Sequence, residues 1–372
     1  MRVGVPKEIK DHEYRVGLVP ATVRELAARG HHVTVERGAG MGAGIVDAEY
    51  ETAGAELTAS ADQIFDRAEM IVKVKEPLAT ERLKLKRGQI LFTYLHLAAD
   101  RAQTEGLLNS GVIGIAYETV TAPDGNLPLL TPMSAVAGRM APQVGAYCLQ
   151  KANAGRGVLL AGAPGVDPGS VLILGGGHVG TNAALIAVGM GANVTVVGRS
   201  KESIARITAQ FGDRVRTQIS ERAAIELLAR EADLVIGAAM VPGGVAPKLL
   251  SRATVQTMRR GAVIVDVAID QGGVTETSRP TSHSQPTYLE EGVVHYCVPN
   301  MPGAVPRTST FALNNATRPF VLALADKGWR RALADDAHLL AGLNVHEGRL
   351  TYRAVADALQ LPYTPADTPL RG

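Results

Sequence analysis

Residues 171–200 read VLILGGGHVG TNAALIAVGM GANVTVVGRS, and this stretch decides the fold. An apolar run from Val171 to Leu174 enters a G-x-G-x-x-G turn at Gly175, Gly177 and Gly180. A helix-like segment follows, and then a second β-branched run from Val194 to Val197. A bare glycine pattern is weak, but the strand–turn–helix–strand context makes it a dinucleotide-binding fingerprint rather than a merely glycine-tight crossover. The first glycine allows the tight turn, the second lets backbone approach a pyrophosphate, and the third lets the helix pack on the strand. The pyrophosphate is expected at the unpaired N–H groups of the helix N-terminus, with His178 and Val179 inside the turn.

An NAD site of this kind carries an acid about 20 residues past the first glycine, to accept the ribose 2′-hydroxyl. Gly198 holds that place, followed by Arg199, Ser200 and Lys201. A guanidinium, a hydroxyl and an ammonium suit a 2′-phosphate, and arginine offers phosphate a rigid two-pronged fork. The expectation is NADP(H) favoured over NAD(H). The alternative is a solvated turn in which Glu202, a few residues late, still serves NAD.

At 372 residues the chain is long enough for two domains. Apolar content of 46% and charged content of 20% describe an ordinary globular protein. With 38 Lys and Arg against 36 Asp and Glu, the net charge of +2 gives no reason to expect nucleic acid. The N-terminal MRVGVPKEIK has no apolar core of a signal peptide. No apolar run reaches the length of a membrane span. Cys148 and Cys297 form no disulfide or metal spacing, so both read as core thiols, no metal is expected, and the expected location is the cytoplasm.

Strand-like RVGVP opens the chain, followed by a helix near residues 20–29 that Gly30 ends, and by the strand HHVTVE. A helix near 62–68 leads to the strand MIVKVK, and GQILFTYLH and VIGIAYET are two further strands with a helix between them. This alternation predicts a parallel, doubly wound sheet. A long helical stretch from about residue 132 precedes a second set of strands: VLIL, VTVV, DLVIGAA, AVIVDVAI and VVHYCV. After Pro306 the chain turns helical again. The predicted architecture is α/β, with two doubly wound domains. A Rossmann nucleotide domain (131–305) is inserted in a discontinuous substrate domain (1–130 and 306–372). The tail from Pro362 reads as a surface extension.

Ligands of open α/β sheets bind beyond the carboxyl ends of strands, and several polar residues fall there. Lys73 and Lys75 end MIVKVKEP, His96 follows ILFTYL, Asp266 and Asp270 bracket the end of AVIVDVAID, Asn300 follows VVHYCVP, and Arg15 lies after the first strand. Each has a plain structural alternative: His96 as a hydrogen-bonded core histidine, Lys75 paired with Glu76, Asp270 as a helix cap, Arg15 neutralising Glu13. Together they suit an oxo or amino acid. Arg15 and Lys75 are candidates for its carboxylate. His96 can move protons near neutrality, and Asp270 can stabilise a cationic imine or orient the departing water.

Taken in order, MRVGVPKEIK, EYRVGLVPA, VKVKEPL, ILFTYLHLA, AYETV, LPLLTPMS, DVAIDQGG and NMPGAVPRTST resemble the L-alanine dehydrogenase family along essentially the whole chain. The resemblance implies reversible conversion of L-alanine to pyruvate and ammonia with a nicotinamide cofactor. It makes Arg15 and Lys75 substrate-binding, His96 the acid/base residue and Asp270 the second catalytic group. Tyr94, Leu130 and Met133 match a small substrate pocket, with Asn300 beside it. The implied cofactor contacts are Ser134, the turn Gly175–Gly180, Ser220, Val267 to Asp270, Arg279, and Asn300 with Met301. A homo-oligomer, commonly a hexamer, is also implied.

The departures cluster around the cofactor. Gly198 replaces the family's usual Asp, Ala135 replaces a Glu four residues before Arg139, His178 stands where a small hydroxyl residue is commoner, and Pro299 stands where Ala is usual. Two other readings use the same features. One is a related oxo acid or imine reductase on another small substrate. The other is a transhydrogenase-like nucleotide-binding subunit, which would not need His96 or Lys75.

Overall fold

The computed structural model describes residues 1–240 and 245–370. The chain divides into two compact units, Met1–Met133 with the segment from Gly303 onward, and Ser134–Pro302. Strands β1 (Arg2–Val5), β2 (His32–Glu36), β3 (Glu56–Thr58), β4 (Met70–Val72), β5 (Ile90–Thr93) and β6 (Ile113–Ala116) belong to the first unit. The second holds β7 (Ser170–Leu174), β8 (Asn193–Gly198), β9 (Val215–Ile219), β10 (Leu234–Gly237), β11 (Val263–Asp266), β12 (Thr287–Glu290) and β13 (Val293–Tyr296). On return to the first unit the chain adds β14 (Leu343–His346) and β15 (Arg349–Leu350).

Both sheets use the same plan. The orders are β15-β14-β6-β5-β4-β1-β2-β3 and β12-β13-β11-β10-β7-β8-β9. In each the first strand lies inside the sheet, β1 between β2 and β4 and β7 between β8 and β10, so connections diverge beside it. All neighbours are parallel except at one edge, where β14 runs antiparallel to β6 and β15, and β12 antiparallel to β13. Helices cover both faces, so the inner strands β4, β5, β10 and β11 are buried at every residue.

Register decides which residues share an edge. Leu174 is level with Val197 and Gly237, Gly198 with Ile219, and Gly237 with Asp266. Gly175, Gly198, Ser220 and Val267 therefore emerge together at the carboxyl edge of the second sheet. In the first sheet Val72 is level with Phe92, and Thr93 with Ala116. Lys73–Lys75, Tyr94–His96 and Tyr117–Glu118 consequently leave the sheet side by side.

The helix over Pro20–Ala28 ends with Gly30 at φ 81°, a left-handed position that glycine takes without strain. The segment after Pro306 forms the helix Pro306–Asp335, interrupted by Gly328 (φ 71°, ψ 159°). It is tied to the start of its own unit. Val16 N–H donates to Thr310 Oγ1 (3.3 Å), and Thr22 Oγ1 to Asn314 Oδ1 (2.7 Å).

Five strands had no sequence expectation: β3, β9, β12, β14 and β15. All but β14 are edge strands, and they are short or polar, as in VRTQI of β9 and TYLE of β12. In β14, LNVH is fully buried although it contains Asn344, whose amide is satisfied by Thr119 Oγ1 (2.7 Å) and Gly342 O (2.9 Å). The tail through residue 370 is more firmly held than a surface extension. Tyr363 bridges to Leu350, Arg353 lies 4.2 Å over the Tyr363 ring, and Arg330 Nη1 donates to Pro369 O (2.7 Å). Among the described residues no helix is long and apolar enough to cross a membrane.

Candidate active site residues

In the second unit the three glycines occupy three different environments. Gly175 turns at φ 121°, and a Cβ there would lie 2.7 Å from the backbone of Ala238. A Cβ on Gly177 would meet nothing within 4 Å, so this backbone faces open space. A Cβ on Gly180 would lie 1.8 Å from Gly175 O, which is the close helix–strand packing the third glycine permits. The helix His178–Gly189 starts directly on this cradle, with His178 exposed at its first position and Val179 buried. The arrangement fits a dinucleotide pyrophosphate on the helix N-terminus.

A second contact holds that helix in place. In the helix Thr131–Cys148, a Cβ on Gly138 would lie 2.3 Å from Val179 O, so the two helices touch backbone to backbone. Arg139, lacking a glutamate at position 135, donates through Nε to Asn182 Oδ1 (2.9 Å), and Asn182 Nδ2 donates to His178 O (2.9 Å). The departure at Ala135 thus leaves Arg139 bracing the glycine-turn helix. Ser134 is buried at the start of the same unit.

At the end of β8, Gly198 is buried and Arg199 exposed. Ser200 caps the helix Lys201–Phe211 by accepting from Ser203 N (3.3 Å). Hydrogen bonds from its own backbone and from the Ser200 side chain hold the exposed Glu202 carboxyl below the usual range. Arg199 and Lys201 make no ion pair among the described residues. Ser220 N donates to Gly198 O (2.9 Å), which sets Ser220 beside this turn.

Asp266 and Asp270 separate into different roles. Asp266 is buried and accepts from Ala268 N (3.2 Å), Val274 N (2.8 Å) and Ser278 Oγ (2.6 Å). It holds the loop after β11. Asp270 lies on the 3₁₀ turn Val267–Gln271 that this loop forms, exposed, with Val267 at the first position. Asp270 does not cap a helix; the cap of that turn is Asp266. Asn300 follows Pro299 at φ 64° and accepts from His283 Nε2 (3.2 Å), while Met301 is buried. Arg279 is exposed over the ring of Tyr288. Cys148 and Cys297 are buried, and burial raises both thiols to about 11.

In the first unit Arg15 is 2% exposed and its side chain is gripped by Glu13: Nε donates to Oε1 at 2.6 Å and Nη2 to Oε2. Nη1 reaches Met133 Sδ (3.1 Å). Burial opposes the charge, but the Glu13 pair overcomes it and holds the guanidinium above its ordinary range. Of the two readings of Arg15, neutralisation by Glu13 is the one these contacts show, and they fix the direction of the guanidinium.

Lys73 and Lys75 diverge. Lys73 is fully buried between Glu8 Oε2 (3.1 Å) and Glu81 Oε1 (2.8 Å). The other oxygen of Glu8 accepts from Val74 N (2.7 Å) and Lys75 N (3.3 Å). Lys73 is thus an internal tie that fixes the backbone presenting Lys75, which is half-buried. Glu76 pairs with Lys10. Burial pushes the Glu76 carboxyl up, but Lys75, His96 and Lys10 outweigh it and bring it below the usual range. Lys75 and His96 therefore share one carboxylate neighbour.

His96 is exposed and sits at φ 51°, a left-handed backbone unusual for a side-chain-bearing residue. Glu118 holds that turn, accepting from Leu95 N (3.1 Å) and His96 N (2.6 Å) through Oε1. The imidazole stacks on Tyr94 at 5.8 Å and 10°, and the buried Tyr94 hydroxyl donates to Leu129 O. Within this one unit Arg15 thus touches Met133, Tyr94 touches His96, and His96 and Lys75 share Glu76. Of the supporting carboxylates the sequence reading named only Glu13, as a partner of Arg15; Glu8, Glu81 and Glu118 had no place in it. Glu8 and Glu118 are signalled only by lying in the segments KEIK and AYET, and Glu81 by no such segment.

Two parallel sheets with the same switch point, one bearing a dinucleotide cradle and the other a buried cation beside an exposed histidine, define a two-domain nucleotide-dependent oxidoreductase. Residues 4–137 match the family model for the alanine dehydrogenase/PNT N-terminal domain, and residues 141–353 that for the C-terminal domain. The chain belongs to the alanine dehydrogenase/PNT family. It is 59% identical to the alanine dehydrogenase of Halomonas elongata over 366 residues, covering 98% of this chain and 99% of that one. Identity to the alanine dehydrogenase of Mycolicibacterium smegmatis is 53%, again over 98% and 99% of the two chains. Among solved structures, an L-alanine dehydrogenase superposes with a TM-score of 0.93 at 54% identity, covering 97% and 99%. A transhydrogenase from Sinorhizobium meliloti shares the fold, with a TM-score of 0.82 at 23% identity over 94% and 100% of the chains.

Proposed function

We propose that the chain catalyses reversible oxidative deamination of L-alanine to pyruvate and ammonia, using NADP(H) in preference to NAD(H). The observation that carries the reaction is full-length likeness to alanine dehydrogenases with Arg15, Lys75, His96 and Asp270 all present. When bound, the nicotinamide cofactor supplies hydride transfer at the substrate C2. Arg15, aimed by Glu13, and Lys75, fixed by Glu8, hold the carboxylate and polarise the carbonyl of pyruvate. His96 takes and returns protons as the carbinolamine forms and loses water. Asp270 stabilises the resulting iminium. Tyr94 and Met133 limit the side chain to a small one, and Asn300 lies with the substrate group.

The cofactor preference rests on the end of β8. No carboxylate stands at Gly198, and Arg199 and Lys201 offer two exposed cations on either side of Ser200, whose hydroxyl caps the following helix. The remaining cofactor contacts in this reading are Ser134, the turn Gly175–Gly180, Ser220, Val267, Asp270, Arg279, Asn300 and Met301. The same reading includes a cytoplasmic homo-oligomer, a hexamer, which light scattering tests.

Initial rates with pyruvate and ammonium, measured with NADPH and NADH in parallel, test both parts. A higher kcat/KM with NADPH is expected. Preference for NADH would overturn the role of Arg199 while keeping the reaction. No turnover with either would overturn the substrate assignment. His96→Ala is expected to lower turnover by roughly 10²–10⁴-fold, and near-normal turnover would remove His96 from the mechanism.

A further inference from the structure

The geometry points to Tyr288 as a positioning residue that holds Arg279 for the cofactor, and to β12 as the strand that supplies it. The guanidinium of Arg279 lies 3.9 Å from the centroid of the Tyr288 ring. The hydroxyl of the same side chain accepts from Arg279 N (2.9 Å) and donates to Thr277 O (2.8 Å). Tyr288 therefore holds Arg279 at both ends, with its ring under the side chain and its oxygen on the backbone.

A second layer supports the first. Tyr288 on β12 is directly opposite His295 on β13, and the two rings stack at 5.0 Å and 16°. His295 is fully buried. Its Nδ1 must donate to Val293 O (3.0 Å), which leaves Nε2 to accept from Thr277 Oγ1 (2.8 Å). Burial holds this imidazole below the ordinary histidine range, so it stays neutral and does not repel the cation above Tyr288. The neighbouring Ser278 ties the same loop to Asp266, at the carboxyl end of β11. Arg279 is thus a cation of fixed direction beside β11 and β13. The turn Gly198–Lys201 lies beyond β7, on the other half of the sheet.

The inference rests on the reading that Arg279 contacts the cofactor, and it adds a consequence for specificity. Held on the half of the sheet away from the adenosine-ribose turn, Arg279 serves NADH and NADPH alike, whereas Arg199 distinguishes them. A cation–π platform at an exposed site contributes about two- to five-fold in affinity.

Fluorescence titration of NADH and NADPH against the full chain tests this without turnover. Tyr288→Val, which suits an edge strand, is expected to raise both Kd values about two- to five-fold. Tyr288→Phe, which keeps the ring, is expected to remain within about twofold of the parent. Arg279→Lys keeps the charge but loses the flat stack, and is expected to resemble Tyr288→Val. In an Arg279→Met background the Tyr288→Val change should add nothing. An equal loss in that background, or Arg279→Lys matching the parent, would overturn the positioning role. If Arg279→Met alone leaves both Kd values unchanged, the contact between Arg279 and the cofactor is wrong, and that failure is separate from the first. Should Tyr288→Val fail to fold, the Phe and Lys variants still decide.

Discussion

Glu13→Gln removes one charge at a place where its partner cannot reach water. The side chains of Arg15 and Glu13 are 2% and 0% exposed. The carboxylate accepts from Nε (2.6 Å) and Nη2 of Arg15 and from its backbone N–H (3.1 Å). A glutamine has one acceptor oxygen and would turn an NH₂ group toward a guanidinium that can only donate. Two unit charges about 4 Å apart attract by about 4 kcal/mol at an effective dielectric of 20. Breaking a buried pair by removing one partner costs about 3–5 kcal/mol. Against a typical stability of about 5–15 kcal/mol this is a large loss. Urea denaturation of the full chain is therefore expected to show a clearly lower midpoint. In the proposed reaction Arg15 binds the substrate and moves no proton, so KM for pyruvate should rise more than kcat falls. The paired change Glu13→Leu with Arg15→Met removes both charges and should recover much of the stability, while substrate binding stays lost. A Glu13→Gln protein with the parent's midpoint and KM would refute the claim that this carboxylate compensates and aims the guanidinium.

Further outcomes follow from the same geometry. Gly180→Ala places a Cβ 1.8 Å from Gly175 O, so the melting temperature and the affinity for NADH and NADPH should fall together. Gly177→Ala has open space and should bind more weakly at an unchanged melting temperature. Lys73→Met leaves Glu8 and Glu81 facing each other without their cation. It should lower stability by about 3–5 kcal/mol in urea titration, with a deficit that shrinks as acid neutralises the two carboxyls. His295 titrates below its ordinary range because it is buried. Below about pH 6.5 the unfolded chain takes up a proton that the folded chain refuses. Stability should therefore decline from that pH down to the lower folded pKa. Melting temperatures of His295→Gln between pH 5 and 7.5 should show a shallower decline, and an unaltered slope would assign the acid sensitivity elsewhere.

The inner strands were legible because a strand buried on both faces is apolar along its length, as in VLIL of β7 and LVIG of β10. The edge strands were not. TYLE of β12 and VRTQI of β9 are strands because a neighbour supplies hydrogen bonds, which composition does not reveal. A similar limit applies to function. Sequence spacing brings the glycine turn and the missing acid at Gly198 into view, since both lie within one strand–turn–helix–strand unit of local geometry.

Between neighbouring residues of the same type the sequence reading named Lys75 and Asp270, and tertiary structure showed what the other member of each pair does. In KVK, Lys73 is buried between Glu8 and Glu81 as an internal tie. In VDVAID, three donors on Asp266 make it the loop anchor and leave Asp270 exposed. The amino-acid sequence by itself determined the parallel α/β plan, the nucleotide cradle and the residue types of the candidate site, because these rest on short-range periodicity and glycine stereochemistry. Tertiary structure alone decided that Glu8 and Glu81 hold Lys73, that Glu118 holds the His96 turn and that the Tyr288 ring holds Arg279. These partners stand on other segments, 8 to 65 residues away, and register and burial bring them together.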